Sequence, residues 1–208
     1  MNPLAGPIPY TMRPTADHQL SLLLLHSHFS PPAVDWDMTS NPLQTARFHP
    51  AWNHFTWNAP ATNPAVPHMV VKYGVWEIKI TPRPTSTCSY VTVLDVLYGI
   101  YRYLRRPSSP QDLRVLPPDQ RSSVTDAYNR RWQRCPPGFW ELEWQKGLKY
   151  IDFLADTTSF WGLSPTEEPR TWKIEVSRLY HPFFTGHTTP HTHFKFRSRF
   201  GRPAWTGI

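Results

Sequence analysis

The fold is decided by the stretch WEIKITPRPTSTCSYVTVLDVLYGIYRYLRRP, residues 76–107, which joins a strand pattern to a helix pattern. In its first part, Trp76, Ile78 and Ile80 alternate with charged residues, which is the period of a strand with one buried face. Over 93–104, apolar residues recur every three or four positions, as on one face of an amphipathic helix. The stretch therefore predicts a strand followed by a helix.

Both ends of this helix have recognisable signals. Thr92 and Asp95 stand three residues apart, so a hydroxyl and a carboxylate can satisfy free backbone amides at the helix start. Arg102, Arg105 and Arg106 gather at the last turn, where positive charge suits the negative end of the helix dipole. A proline follows directly and is expected to end the helix.

The strand pattern recurs on both sides of this helix. Residues 66–80 predict two strands with a break at Gly74, and residues 172–176 repeat the alternation near the far end. Because these inner faces match although the segments are far apart in sequence, the final strand is predicted to return and close one sheet. A further strand is predicted over 34–38, where apolar residues alternate with aspartates.

Between the strands, a second, short helix is predicted from Ser109, and a third from Asp119 to a Pro-Pro-Gly sequence. Segment 139–145 fits either a helix or a loop, and strands are predicted over 149–154 and 160–163. Strands, then helices, then strands favour the α+β class. We expect a mostly antiparallel sheet with two or three helices packed on one face.

Length and composition favour a single domain. The chain has 208 residues, and its apolar fraction of 39% is sufficient for a buried core. Its 24 prolines favour short elements with irregular connections, above all in the N-terminal third. We expect a disordered lead over 1–20, one α+β domain over 21–177, and a basic extension rich in histidine and aromatic residues over 178–208.

Charge and cysteine content bear on partners and location. The formal net charge of +7 favours acidic partners. Cys88 and Cys135 are too few for a disulfide framework and form no CxxC pair, so we expect an intracellular protein, cytoplasmic or nuclear. The apolar segment at 22–25, four leucines, is too short to span a membrane and lacks the flanks of a signal peptide, so no membrane association is predicted.

Several blocks of the sequence are distinctive. They are WEIKI (76–80), YVTVLDVL (90–97), AYNRR (127–131), GLKYIDFL (147–154), FWGL (160–163) and WKIEV (172–176). Together they resemble, over roughly residues 22–177, a family of unknown function found in many copies in mushroom-forming fungi. The resemblance implies a shared fold and lineage, and it carries over no catalytic residue.

The familiar catalytic motifs are absent from the sequence: there is no P-loop, GxGxxG, HExxH or GxSxG. The leading hypothesis is therefore a non-enzymatic module that binds a protein or peptide, at a sheet edge or in an aromatic groove. No cofactor is predicted. The alternative is an enzyme of unrecognised type, with a pocket between the sheet and the loops of residues 40–67.

Basic side chains are the candidate binding residues. They are Arg102, Arg105, Arg106, Arg130, Arg131, Lys195, Arg197 and Arg199. The helical arginines are candidates for one anion-binding face, and the alternative is that they are helix-end charges paired with nearby aspartates. The tail residues alternate with phenylalanines, a pattern that can neutralise phosphates and stack on unpaired bases. Nucleic-acid binding through the tail is thus a second alternative function.

Histidines are the candidate metal ligands. His187, His191 and His193 lie close together, and on an extended segment the last two face the same side. No carboxylate stands nearby to orient their rings, so adventitious binding of nickel or zinc is the alternative.

Two further expectations concern burial. Asp152 lies between apolar residues, and if it is buried and paired it is a structural anchor before it is a general base. Trp140, Trp144 and Trp205 are expected to be exposed, and an exposed aromatic cluster would mark a surface for a partner.

Overall fold

The computed structural model of the chain describes residues 19–26, 32–52 and 56–178. The strands are β1 (Gln19–Leu20), β2 (Val34–Asp35), β3 (Arg47–Phe48), β4 (Thr62–Asn63), β5 (Met69–Tyr73), β6 (Trp76–Ile80), β7 (Ser159–Pro165) and β8 (Thr171–Ser177). The α-helices are α1 (Pro42–Thr45), α2 (Val93–Leu104), α3 (Pro110–Arg114), α4 (Pro118–Gln133) and α5 (Trp140–Gln145). Short 3-10 helices span Pro50–Trp52 and Tyr150–Leu154.

A four-stranded sheet with the order β6-β5-β8-β7 forms the centre of the domain. β5 and β6 are an antiparallel hairpin, β8 pairs with β5 in parallel, and β7 pairs with β8 in antiparallel fashion. β1 with β4 and β2 with β3 form two small antiparallel ribbons. The predicted α+β class is confirmed. The final strand does return to the sheet, where it lies between β5 and β7.

Helix α2 begins as the sequence predicts. The Thr92 hydroxyl accepts a hydrogen bond from the Asp95 N–H, while the Asp95 carboxylate accepts one from the Thr92 N–H. Val96, Leu97 and Ile100 are fully buried on the inner face of the helix, where α2 packs against β6. The helix thus fixes one wall of a groove beside the sheet edge.

Two predictions need correction. Residues 149–154 do not form a strand: the Asp152 carboxylate accepts a hydrogen bond from the Lys149 N–H at 2.9 Å and winds the chain into the 3-10 helix Tyr150–Leu154. Over 34–38, the alternating burial is as predicted, but only Val34–Asp35 pairs as a strand, with β3. The ambiguous segment 139–145 is helical over Trp140–Gln145.

The two edges of the sheet differ in how they are covered. Along β7, the His26 N–H donates to the Leu163 carbonyl at 2.8 Å, and the Phe160 N–H donates to the Trp36 carbonyl at 2.9 Å. Residues 24–26 and 36–38 therefore cover this edge. No residue in the described ranges pairs with the outer edge of β6. β6 is the open edge of the sheet.

Candidate functional site

The helical arginines do not form one face; they line two separate cavities. The first, of about 420 Å³, lies between β6, residues 81–84 and the side of α2 that carries Tyr98 and Arg102. Arg106, just after α2, also lines it. We call it the α2 groove. The second, of about 500 Å³, lies between one face of α4, the turn at 37–39 and residues 149–158. We call it the α4 cleft, and Arg105, Arg130, Arg131 and Arg134 line it.

Of the two acidic groups that line the α2 groove, Asp95 has a cation of its own. The Arg83 Nε lies 2.7 Å from Oδ1 of the buried Asp95. Burial raises the pKa of the Asp95 carboxyl, but hydrogen bonds from Thr92 and Arg83 outweigh it and hold that pKa below its usual value. The Glu77 carboxylate lies 3.3 Å from Lys72 Nζ, which binds Glu168 more closely, at 2.7 Å.

Three cations of the α2 groove remain uncompensated. Lys79, Arg102 and Arg106 are exposed, and within the described part of the chain none of them forms an ion pair. The Arg106 guanidinium lies 5.2 Å from the ring centre of Tyr103. The lining therefore has a net positive charge, since it holds four cations, Lys79, Arg83, Arg102 and Arg106, against two acids, Glu77 and Asp95.

Arg131 holds the floor of the α4 cleft together. Its guanidinium binds both oxygens of Asp152, at 2.7 and 2.8 Å, and also contacts the Glu143 carboxylate and the Gly147 carbonyl. The Asp152 side chain is 2% exposed and Lys149 also pairs with Glu143. Arg131 is thus occupied by internal ion pairs, and the buried Asp152 is a structural anchor.

Arg105 is held differently. Its Nη2 donates to the carbonyls of Met38 and Thr39, and its guanidinium stacks 4.2 Å from the ring centre of Tyr101. Burial lowers the pKa of the Arg105 guanidinium, and the nearby Arg131 charge adds to that effect. Its Nη1 is buried and has no hydrogen-bond partner in the described ranges.

The other two arginines lie at the rim of the cleft. Arg130 forms an exposed ion pair with Asp156 at 2.7 Å. Arg134 lies one helical turn further along α4 and forms no ion pair with any residue that the structure describes. The paired-aspartate interpretation thus fits Arg130 and Arg131, although their partners are Asp156 and Asp152.

The ion pairs of Glu143 predict how the free energy of unfolding depends on pH. Burial raises the pKa of this carboxyl, but Lys149, Lys146 and Arg131 outweigh it and lower that pKa from 4.5 to about 2. Because folding lowers the pKa of Glu143, its ionised carboxylate stabilises the folded chain fully above pH ~4.5. This contribution is lost as the pH falls towards ~2. We expect Glu143→Gln to lower the free energy of unfolding by about 2 kcal/mol at pH ~7.

The difference between Glu143→Gln and the native chain should shrink as the pH falls and reach zero only below pH ~2, where the Glu143 carboxyl is protonated in the folded chain as well. Urea denaturation at several pH values measures it. The matched control is Glu141→Gln, an exposed position of the same helix with the same change of charge. A difference that persists unchanged at low pH would contradict the prediction.

Several predicted site residues lie outside the described residues. These are His187, His191, His193, Lys195, Arg197, Arg199 and Trp205. Among the residues that the structure does describe, no group of three or more His, Cys, Asp or Glu side chains is placed to hold a metal ion. The two cavities reported above are lined by residues outside 40–67, the region of the predicted enzyme pocket.

Exposed aromatic residues do cluster on α5, as expected. Trp140 and Trp144 are about half exposed, at 48% and 46%, and Phe139 and Leu142 beside them are more exposed still. Trp132 lies 6.1 Å from Trp140 between ring centres and extends the cluster. We call this surface the α5 patch. It is apolar, whereas the α2 groove is charged.

Sequence reasoning missed Lys79, Arg83 and Tyr98 as groove residues. The spacing of Tyr98, Arg102 and Arg106, four residues apart each time, was a usable signal, because such residues share one side of a helix. No comparable signal pointed to Lys79 or Arg83, whose place depends on how β6 packs against α2.

Comparison with known protein families gives a match over residues 34–171, from the start of β2 to the first residue of β8. The matching model describes a family of unknown function (DUF6699) and covers more than half of the chain. The chain belongs to this family. The linings of both cavities fall inside the DUF6699 match.

The other comparisons add no relative. No curated protein and no solved structure matches the chain. Within the described ranges, the helices are all too short or too polar to cross a membrane.

Proposed function

We propose that this DUF6699 domain is a non-enzymatic interaction module that binds an extended, acidic peptide segment of a partner protein. The segment would add as a strand to β6 and place its acidic side chains in the α2 groove. The observation that carries the proposal is the open edge of β6 directly beside uncompensated cations. Strand addition to a sheet edge is a common mode of peptide recognition.

The register of the hairpin indicates which backbone groups are available. Tyr73 pairs with Trp76 across a two-residue loop, and the closing pair of such a loop is hydrogen-bonded. The N–H and C=O groups of Glu77 and Lys79 therefore point away from β5. In agreement, the Val70 N–H donates to the Arg170 carbonyl on the opposite side of β5. A peptide strand would meet unpaired donors and acceptors on β6.

Charge determines the kind of occupant. Lys79, Arg102 and Arg106 attract carboxylates and repel cations. The chain's own C-terminal tail carries no acidic residue after Glu175, and the whole chain has a net charge of +7. Neither the tail nor a second copy of the chain is therefore complementary to this groove. An acidic segment of another protein is.

The first test uses a short fluorescein-labelled peptide that alternates Glu with Val and Thr, and a matched peptide with Gln in place of Glu. Fluorescence anisotropy should show saturable binding of the Glu peptide and much weaker binding of the Gln peptide. Exposed ion pairs contribute up to about 1 kcal/mol each, so Arg102→Glu/Arg106→Glu should weaken binding by roughly tenfold or more. Binding should also decrease with added salt.

The second test separates strand addition from charge. Lys79→Pro removes one outward N–H without removing a bond of the β5 ladder, whereas Lys79→Ala keeps that N–H and loses the same charge. Lys79→Ala should lose only the contribution of the charge, whereas Lys79→Pro should also lose the affinity that comes from the backbone hydrogen bond. Unchanged circular dichroism of both variants is the folding control. Equal effects of the two substitutions would exclude strand addition.

A further control comes from the α5 patch. Trp140→Ala/Trp144→Ala alters the apolar surface and leaves the groove intact. This double variant should bind the Glu peptide as the native chain does. If this double variant loses binding while the groove variants bind normally, the peptide binds at the α5 patch and the proposal is overturned.

Three other inferences stay predictions. Nucleic-acid binding would use the basic, aromatic tail, and an affinity that falls steeply with salt is its specific forecast. An intracellular location is supported by Cys88 and Cys135, which are both free thiols. The fungal origin rests on the sequence resemblance alone.

A further inference from the structure

Two contacts place α2 alongside β6 and antiparallel to it. Gly99 lies so close to the last residue of β6 that a Cβ at this position would collide with the Ile80 side chain. Near the other end of α2, the ring centre of Tyr150 lies 5.0 Å from that of Tyr103 and 5.0 Å from that of Trp76, the first residue of β6. The α2 groove is therefore bordered along its length by a strand edge on one side and a helix on the other.

A strand added to β6 would present every second side chain to α2. Residues directly opposite each other on neighbouring strands place their side chains on the same face of the sheet. Ile78 and Ile80 are buried on the face that packs against α2, whereas Glu77 and Lys79 alternate with them and are exposed. Peptide residues opposite Ile78 and Ile80 therefore face α2. A strand rises about 3.3 Å per residue, so these groove-facing side chains stand about 6.6 Å apart.

The arginines that line the groove repeat with nearly the same spacing. Arg102 and Arg106 stand four residues apart and line the cavity together with Ile78 and Ile80. An α-helix rises about 1.5 Å per residue, so the two arginines leave the backbone about 6 Å apart along the helix axis. Both side chains are exposed, and neither forms an ion pair within the part of the chain that the structure describes. Two groove-facing carboxylates at neighbouring positions of a strand can thus each meet one arginine.

We infer that the α2 groove selects partner segments in which two acidic residues are separated by one residue, and that Arg102 and Arg106 are the residues that determine this specificity. The inference rests on the proposed function and adds to it the spacing of the acids. Adjacent acids, or acids separated by two residues, point to opposite faces of a strand. Acids separated by three residues share a face but stand about 13 Å apart, so only one of them meets the arginine pair.

The test compares two fluorescein-labelled peptides of identical composition, made of Val, Thr and two Glu, in which either one or three residues separate the two Glu. Both peptides keep their acids on one face of a strand, so Lys79 on the opposite face of β6 does not distinguish them. Fluorescence anisotropy should show roughly fivefold tighter binding of the peptide with the one-residue separation, as expected for one additional exposed ion pair. This preference should vanish in Arg106→Ala and persist in Arg134→Ala, which removes the same charge from the α4 cleft.

A charge swap tests the pairing itself. A third peptide carries Glu and Lys separated by one residue, so one of its charges is attracted and the other repelled by the native groove. Arg102→Glu or Arg106→Glu restores complementary charges, depending on the direction of the added strand, and at least one of these variants should bind this peptide roughly fivefold more tightly than the native chain does.

The outcomes separate this inference from the proposed function. If both spacings bind equally well while the matched Gln peptide binds much more weakly, the proposed function stands and the inference is overturned. If neither charge-swap variant binds the Glu–Lys peptide more tightly, the pairing with Arg102 and Arg106 is wrong. If no acidic peptide shows saturable binding, the proposed function and the inference fail together.

Discussion

Replacement of Asp152 by Ala is expected to lower the free energy of unfolding by about 3 kcal/mol, because the largely buried Arg131 guanidinium loses its two-oxygen partner and keeps Glu143 as its ion-pair partner. The carboxylate binds the Arg131 guanidinium at 2.7 and 2.8 Å and caps the Lys149 N–H at 2.9 Å. A loss of this size corresponds to a fall in Tm of roughly 10 °C for a domain of this length. Thermal and urea denaturation measure both quantities.

Two further variants, one at the exposed Asp156 and one at Asp152 itself, show what that loss means. Asp156→Ala removes an exposed ion pair with Arg130 and should cost less than about 1 kcal/mol. Asp152→Asn keeps an oxygen that can accept the hydrogen bond of the Lys149 N–H but loses the charge. Its cost in stability should therefore fall between those of Asp156→Ala and Asp152→Ala. If Asp152→Ala is no worse than Asp156→Ala, the Arg131 network does not anchor the fold.

Gly162→Ala is expected to destabilise the domain by roughly 3 kcal/mol, through two effects at one position. Gly162 has φ +115°, a backbone conformation that residues with a side chain rarely adopt. A Cβ there would stand 2.8 Å from the backbone N and Cα of His26, and backbone atoms cannot rotate away. Residues 24–26 would therefore be pushed off the edge of β7.

Hydrogen exchange locates that damage. The amides of His26 and Leu163, which bond across this edge, should exchange faster in Gly162→Ala than in the native chain. Gly74→Ala is the control, because Gly74 also has a positive φ but has open space around its Cα. It should cost only about 1 kcal/mol. Equal costs at the two glycines would mean that residues 24–26 are not tightly seated.

The regular elements were predictable because their signals are local. The alternation in β6 and β8 and the capping pair Thr92 and Asp95 depend only on residues a few positions apart. Residues 149–154 misled the prediction, since their apolar residues suggest a strand while Asp152 caps Lys149 and winds the chain. There the local hydrogen bond outweighs the apolar pattern.

The candidate sites were less predictable because they depend on packing between distant segments. The sequence groups Arg102, Arg105 and Arg106 together, yet neighbouring residues of a helical turn point about 100° apart. Arg105 consequently faces the α4 cleft while Arg102 and Arg106 face the α2 groove. The pairing of Arg131 with Asp152 joins residues 21 positions apart, and nothing in the local sequence signals it.

The position of β8 has a consequence for how the chain acquires its structure on the ribosome. β8 lies between β5 and β7 in the sheet but follows β5 by about a hundred residues in sequence. It can pair with β5 and β7 only after residues 171–177 have left the exit tunnel. Closing so long a loop is slow relative to local helix formation. Until then the nascent chain presents β5 with an unpaired side. Closure of the central sheet is therefore expected to come late, and chaperone occupancy is expected to persist until β8 emerges.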